Sequence, residues 1–459
     1  MQVTPYRPDP VYLSLGEGFA DPVRPASFPR HVIRFRNDRH AAEMGLDHLR
    51  NDEWIAHFGK FEPLPDNLPE PLAMRYHGHQ FQVYNPDLGD GRGFLFAQMR
   101  DRHGRLLDLG TKGSGQTPWS RAGDGRLTLK GGVREVLATE MLEALGVNTS
   151  KTFSLIETGE NLQRHDEPSP TRSAVLVRLS HGHIRIGTFQ RLAALKDAER
   201  MARLVDYCLR HYYNEEPGGE DAPVRLLELV AGQTAELAAS YMAAGFVHGV
   251  LNSDNINISG ESFDYGPWRF APTWDGEFTA AYFDHQRLYA FGRQPQAIHW
   301  NVVQLARALT TITAAEPLLP LLEIWPKLFE PAFHRKIRER LGVTSRSEGE
   351  DAALFTAVEG VLAGTDLNPD RLFFDWRGGI CPHRADAYQG ENFAAFRNAI
   401  AAYANPAARA HAYWSDAAPV TMLIDEMEAI WAPIAESDDW TSFHDKIDAI
   451  RRMGEAVKG

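Results

Sequence analysis

The sequence predicts an α+β chain whose first half mixes strands and helices and whose second half is nearly all helical, on three observations. First, FLFAQMRDRHGRLLDLG, from Phe94 to Gly110, sets two apolar runs around a polar Asp101–Gly104 turn, the pattern of an antiparallel hairpin. Second, VREVLATEMLEALG, from Val133 to Gly146, places Val133, Leu137 and Met141 at helical spacing and closes on a glycine suited to a C-terminal cap. Third, after about Trp300 the candidate segments VVQLARAL, LLPLLEIW, HRKIRERLG, DAALFTAVEGVL and AFRNAIAAYA all carry helical periodicity.

Taken in order, residues 1–73 are rich in proline and aromatics and read as an irregular extension wrapped on a core. Residues 74–195 hold the hairpin, the helix and strand-like runs at Phe153–Ile156 and Ala174–Leu179. The polar, proline-bearing GENLQRHDEPSPT between those runs is expected as an exposed loop. Residues 196–310 open with two helical stretches, the second stopping at Gly245 before the loop HGVLNSDNINIS, and 311–459 form a helical C-terminal region.

At 459 residues the chain is long enough for a large core, and its 48 basic against 61 acidic residues, net -13, give no overall basic footprint for nucleic acid or an anionic membrane. A bound nucleotide therefore needs a local cationic pocket. The start, MQVTPYRPDP, lacks the apolar run of a secretory signal, and no stretch is long enough to span a bilayer, so a cytoplasmic protein is expected. Cys208 and Cys381 lack metal-type spacing and read as free buried thiols. The ten tryptophans scatter without a stacking pattern for nucleic acid.

Three segments carry chemistry. Asn85–Gly93, NPDLGDGRG, leads into the hairpin with glycines at 89, 91 and 93, which free backbone amides to approach phosphate oxygens, although glycines before a hairpin also serve as turn formers. Lys112 ends the following strand, and Glu135 sits in the first turn of the next helix, opposite Leu137 and Met141. In protein kinases a strand lysine holds nucleotide phosphates and is positioned by a helix glutamate. Finally, HGVLNSDN (248–255), a short strand at Ile256–Ile258 and FDYG (263–266) have the layout of a kinase catalytic loop and a D-F-G-like turn, with Asn255 and Asp264 as hard oxygen ligands for magnesium. A kinase-like two-lobed fold follows from that order.

One position departs from the pattern. The catalytic aspartate of a kinase stands five residues before the metal-binding asparagine, and here that residue is Val250, which accepts no proton. Asp254 is the nearest carboxylate.

Through HGHQFQVYNPDLGDGR, LGTKGSGQTPWSRAGDGR, REVLATE, HGVLNSDN and FDYGP, in order over roughly Tyr76 to Asn301, the chain resembles the selenoprotein O family, called YdiU in bacteria. The resemblance implies a kinase-like fold that binds Mg-ATP, with Mn2+ as an alternative ion, turned end for end, and moves AMP to hydroxyl side chains of other proteins. Carried over by position, Gly89, Gly91 and Arg92 match the ATP loop, Lys112 the phosphate lysine and Glu135 its partner. Asp124 and Gly125 match the adenosine segment, and Arg178 and Arg185 the phosphate-pocket arginines. Asp254 matches the proton acceptor, and Asn255 and Asp264 the metal ligands.

UMP transfer from UTP, a phosphotransferase using Asp254, and a non-catalytic nucleotide-binding regulator are the rival readings. The family's C-terminal cysteine or selenocysteine has no counterpart in RRMGEAVKG, so its redox control is not carried over. After about Asn368 the sequence is expected to depart from the family pattern. The H-G-H pairs at 77–79 and 181–183, with no third ligand identifiable, are expected to pack and hydrogen-bond instead of binding metal, and Cys381-Pro-His383 likewise lacks partners at ligand spacing.

Overall fold

The structure is a computed structural model, and it describes residues 5–165, 167–216 and 218–458. An antiparallel sheet organises the first half. Its strands run in the order Ala20–Pro22, Leu72–Met74, Leu95–Arg100, Leu106–Lys112, Thr171–Ser180, Lys151–Leu162 and Val32–Arg36, with Leu127–Thr128 also paired to Thr171–Ser180. Every residue of Leu106–Lys112 is buried, as a central strand with both faces covered requires.

The predicted hairpin is present as Leu95–Arg100 and Leu106–Lys112. The two later strands run longer than predicted, so the first four residues of the expected loop, through Leu162, belong to the sheet until Thr171 resumes it.

Residues 1–73 are less irregular than expected. Ala20–Pro22 and Val32–Arg36 supply the two edges of the sheet, and Asp38–Met44 and Asn51–Phe58 are short helices. Trp54 stacks on Phe153 and Phe58 meets the same ring edge-on, closing a second hydrophobic layer under the sheet. These elements are too short for periodicity to show; edge pairing and aromatic packing make them.

The helix Leu129–Ala144 lies across the other face of the sheet. It begins four residues before Val133 because the Thr128 hydroxyl caps the Gly131 amide, and Gly132 admits Leu155, whose Cδ1 would stand 2.4 Å from an added Cβ. The C-terminal helix Thr441–Lys458 braces it: Arg451 donates to both oxygens of Glu140 at 2.8 and 2.9 Å, and Gly454 packs on Ala144.

Beyond the sheet, Ala198–Tyr212, Ala222–Ala243 and Gln294–Leu309 begin the helical part. LLPLLEIW and HRKIRERLG, read as separate helices, lie on one, Leu319–Leu341, despite Pro326 and Pro331 inside it. Each proline costs a backbone hydrogen bond, offset here by Trp325, Ala332, Phe333 and Ile337, which are buried. The strand expected at Ile256–Ile258 reduces to one bridge between Asn257 and Arg185. No helix of the described residues is long and apolar enough to cross a membrane.

Candidate active site

A cleft of about 760 Å³ is lined by residues of the central strands, the loops between them, and the segments around Asp254 and Asp264. Gly89, Gly91, Arg92, Lys112, Asp124, Gly125, Arg178, Arg185, Asp254 and Asp264, all anticipated from the sequence, line it. Glu135 and Asn255 stand behind that wall.

Lys112, the last residue of its strand, is buried and donates from Nζ to Glu135 Oε1 and, at 2.7 Å, to Asp264 Oδ1. The expected lysine–glutamate pair therefore forms. Glu135 sits in the second turn of its helix, not the first, and is buried at 2% exposure. It does not lie on a solvated face, because Val133, Val136, Leu137 and Met141 around it are buried too.

Arg178 and Arg185 form a second cationic layer, 6% and 3% exposed. Phe263 lies under both guanidiniums, each 5.0 Å from its ring, and Tyr76 covers Arg185 at 4.3 Å. Arg178 reaches Asp264 at 3.5 Å, and Arg185 pairs with Asp90 at 3.1 Å and donates to the Asp254 carbonyl at 3.3 Å. Arg185 Nε is buried with no hydrogen-bond partner among the described residues. Burial opposes the charge on Arg185, but Tyr76, Asp90, Asp264 and Asp254 raise its pKa above the ordinary guanidinium value. Burial alone would raise Asp264 too, yet Lys112, Arg178, Arg92 and Arg185 hold its carboxyl well below the usual range.

His183 supports Arg178 from behind. It packs over Gly110, where an added Cβ would meet its Nε2 at 2.3 Å, accepts from Arg178 Nε at 3.1 Å, and faces Asp108 Oδ2 with Nδ1 at 3.3 Å. A neutral ring protonated on Nδ1 satisfies both neighbours, and burial lowers its pKa to keep it neutral. The other three histidines of the H-G-H pairs are also held by hydrogen bonds: His77 to Tyr84, His79 to Gln190, His181 to the Leu106 and Tyr212 carbonyls.

Asp254 is buried, and Oδ1 has no hydrogen-bond partner among the described residues. A Cβ on Gly78 would stand 3.1 Å from that oxygen. Burial pushes the carboxyl up to about 6, with Asp264 acting in the same sense and Arg185 against it. A divalent cation beside the carboxyl would act in the opposite sense. Asn255 donates through Nδ2 to the Val250 carbonyl at 3.0 Å, which aligns the amide and leaves Oδ1 as an acceptor.

The glycines of the loop that lines the cleft also serve packing. An added Cβ on Gly89 would stand 2.4 Å from Trp119 Cγ, and one on Gly91 2.9 Å from the Trp119 carbonyl. Both glycines make room for the segment 117–120, held on the loop by Thr117 Oγ1 to Asp90 O at 2.6 Å and by Ser120 Oγ to Gly91 O, and tied to the edge strand by Trp119 Nε1 to Asp21 Oδ2 at 3.0 Å. Asp124, expected at adenosine, pairs with Arg164 at 2.8 Å, and Gly125 at φ +70° returns the chain to Gly115. Four further residues belong to the site: Asp90 and Trp119 line the cleft, and His183 and Asp108 reach it through Arg178.

Asn255 Oδ1 and the Asp264 carboxylate are hard oxygen donors, of the kind a magnesium or manganese ion takes beside phosphates and water, although among the described residues no group of three or more His, Cys, Asp or Glu side chains forms a metal cluster. A nucleotide polyphosphate fits the Lys112, Arg178 and Arg185 layer by charge.

A family model described as protein adenylyltransferase SelO matches residues 4–451. The chain belongs to the SelO family. Among its relatives are the protein nucleotidyltransferases YdiU of Synechocystis sp., 41% identical with 96% of this chain and 97% of the relative covered, and of Gloeobacter violaceus, 41% identical with 97% and 95% covered. That of Synechococcus elongatus is 40% identical, with 98% and 96% covered. The kinship thus extends well past Asn301 and includes most of the C-terminal helices, correcting the expectation that the pattern ends near Asn368. The family is one of protein nucleotidyltransferases, so the chain is an enzyme of nucleotidyl transfer.

Proposed function

We propose that the chain is a cytoplasmic protein adenylyltransferase of kinase-like, two-lobed architecture, moving AMP from Mg-ATP to hydroxyl side chains of proteins and releasing pyrophosphate. One observation carries the reading: three cations, Lys112, Arg178 and Arg185, lie buried together, while position 250 offers no carboxylate and Asp254 offers a buried one. Such a layer suits the β- and γ-phosphates of an inverted nucleotide, whose α-phosphate then faces Asp254.

In this reading Lys112, held by Glu135, and Arg178, held by His183, bind phosphate oxygens without reorganising. Asp254 accepts a hydrogen bond from the acceptor hydroxyl, orients it toward the α-phosphorus and takes its proton; Asn255 and Asp264 hold the metal. When bound, the ion supplies charge neutralisation to the polyphosphate. The acceptor oxygen forms a bond to the α-phosphorus as the bond to the pyrophosphate oxygen breaks.

Incubation with ATP or UTP, magnesium or manganese, and acceptor proteins, followed by intact-mass measurement, tests this. An AMP adduct on the acceptor is expected, lost in Asp254→Ala and Asp264→Ala. A phosphoryl adduct alone would falsify the reading, and a UMP adduct alone would reassign the nucleotide.

A further inference from the structure

Six arginines line the cleft, and four of them have carboxylate partners: Arg126 with Glu160, Arg164 with Asp124, Arg178 with Asp264 and Arg185 with Asp90. Among the described residues Arg92 and Arg121 have none within ion-pair distance. Arg92 belongs to the glycine loop and acts on Asp264. Arg121 lines the same cleft as Asp254, and its charge acts on that carboxyl.

Arg121 also has an uncommon backbone. Its φ is +52°, and of the residues lining the cleft only Asp264, at +63°, shares a positive φ without being glycine. Aspartate tolerates that conformation through its short polar side chain, whereas arginine gains nothing from it, so glycine would be the comfortable residue at position 121. The turn is held at both ends: Ser120 is tied to the Gly91 carbonyl, and Gln116 Nε2 donates to Gly123 O at 2.8 Å. An exposed, unpaired guanidinium held at a strained turn tip, in the same cleft as a buried carboxylate, is the kind of outlier from which a functional role is argued.

We infer that Arg121 contacts the non-bridging oxygens of the α-phosphate and stabilises the charge that develops there during transfer. The inference rests on the proposed AMP transfer. Asp254 meets the acceptor hydroxyl, so the α-phosphate must lie beside it, and of the two unpaired arginines of the cleft Arg121 is the one whose charge acts on Asp254. Unlike Lys112, Arg178 and Arg185, which grip the nucleotide before and during reaction, Arg121 acts where negative charge increases as the acceptor–phosphorus bond forms, the pyrophosphate bond breaks and the proton passes to Asp254. Its planar fork matches two oxygens of one phosphate.

The test uses Arg121→Gly and Arg121→Lys in the full chain, with AMP-adduct formation, affinity for a nonhydrolysable ATP analogue and thermal unfolding measured together. Glycine relieves the backbone strain, so the melting temperature is expected to hold or rise, while the transfer rate falls on the order of 100-fold and analogue affinity stays within about threefold. Lysine is expected to recover part of the rate by charge alone. Arg121→Gly transferring within about twofold of the unmodified chain, or losing analogue affinity in proportion to rate, overturns the inference and leaves the proposed function standing. An unmodified chain that yields no AMP adduct overturns both.

Discussion

Arg178 donates from Nε to His183 Nε2 at 3.1 Å, so a phosphate-pocket arginine is aimed by a neutral imidazole that a carboxylate, Asp108, holds from behind. Gly110 makes this possible by leaving the space the ring fills. His183→Ala removes the acceptor and leaves Arg178 Nε and an Asp108 oxygen buried without it, at a cost of about 2–3 kcal/mol. His183→Gln keeps an acceptor and should cost less. Urea unfolding reads the stability, and analogue binding should weaken in the alanine variant first. Equal behaviour of the two variants would show that the ring fills space without aiming Arg178.

The same histidine makes stability depend on pH. Burial lowers its folded pKa below the ordinary 6.5, so between those values the unfolded chain binds the proton and the folded chain does not. The contribution is complete above the unfolded value and declines as pH falls, by up to about 1.4 kcal/mol per pH unit, until the folded pKa is reached. Other groups titrate in this window, Asp254 in the opposite sense, so the informative quantity is the difference between the unmodified chain and His183→Gln. That difference should narrow as pH drops from 7 to 5. A constant difference would remove His183 from the account.

Glu135 and Asp264 share the Lys112 ammonium. Glu135→Gln leaves the buried lysine one carboxylate, so the destabilisation should stay near the low end for broken buried pairs, about 3 kcal/mol. Transfer should suffer more than stability suggests, because Lys112 then leans on Asp264, the residue proposed to hold the metal. Raising magnesium should restore part of the rate in Glu135→Gln. A rate independent of magnesium would mean that the two roles of Asp264 are not in competition.

How far the sequence reached depends on whether a feature is local. The hairpin ending on Lys112 and the ordered segments carrying Arg178, Arg185, Asp254 and Asp264 were legible because each is a continuous run, and ten named residues do line one cleft. The outer strands of residues 1–73 were not, since three to five residues carry no period and edge pairing decides them. Nor was the depth of Glu135: the C-terminal helix more than 300 residues away covers the same helix, with Arg451 on Glu140, and turns an apparently amphipathic element into a buried one. Leu319–Leu341 runs through two prolines for the same kind of reason, its packing against Ala222–Ala243.

The glycine loop shows most sharply how a local reading and a packing reading separate. Read locally, Gly89 exposes amides to phosphate; in the fold, the Trp119 ring occupies the place of its missing side chain. Gly89→Ala therefore requires Trp119 to move, at about 1–3 kcal/mol, and tilts a segment that also carries Arg121 and Asp124. Trp119→Ala removes the ring and leaves only its Cβ, 2.9 Å away, to yield, so the double variant should lose less stability than the sum of the single ones, with a coupling of about 1 kcal/mol in a denaturation cycle. If Gly89 instead serves only to admit phosphate, stability losses will add and the alanine will weaken analogue binding equally with and without Trp119.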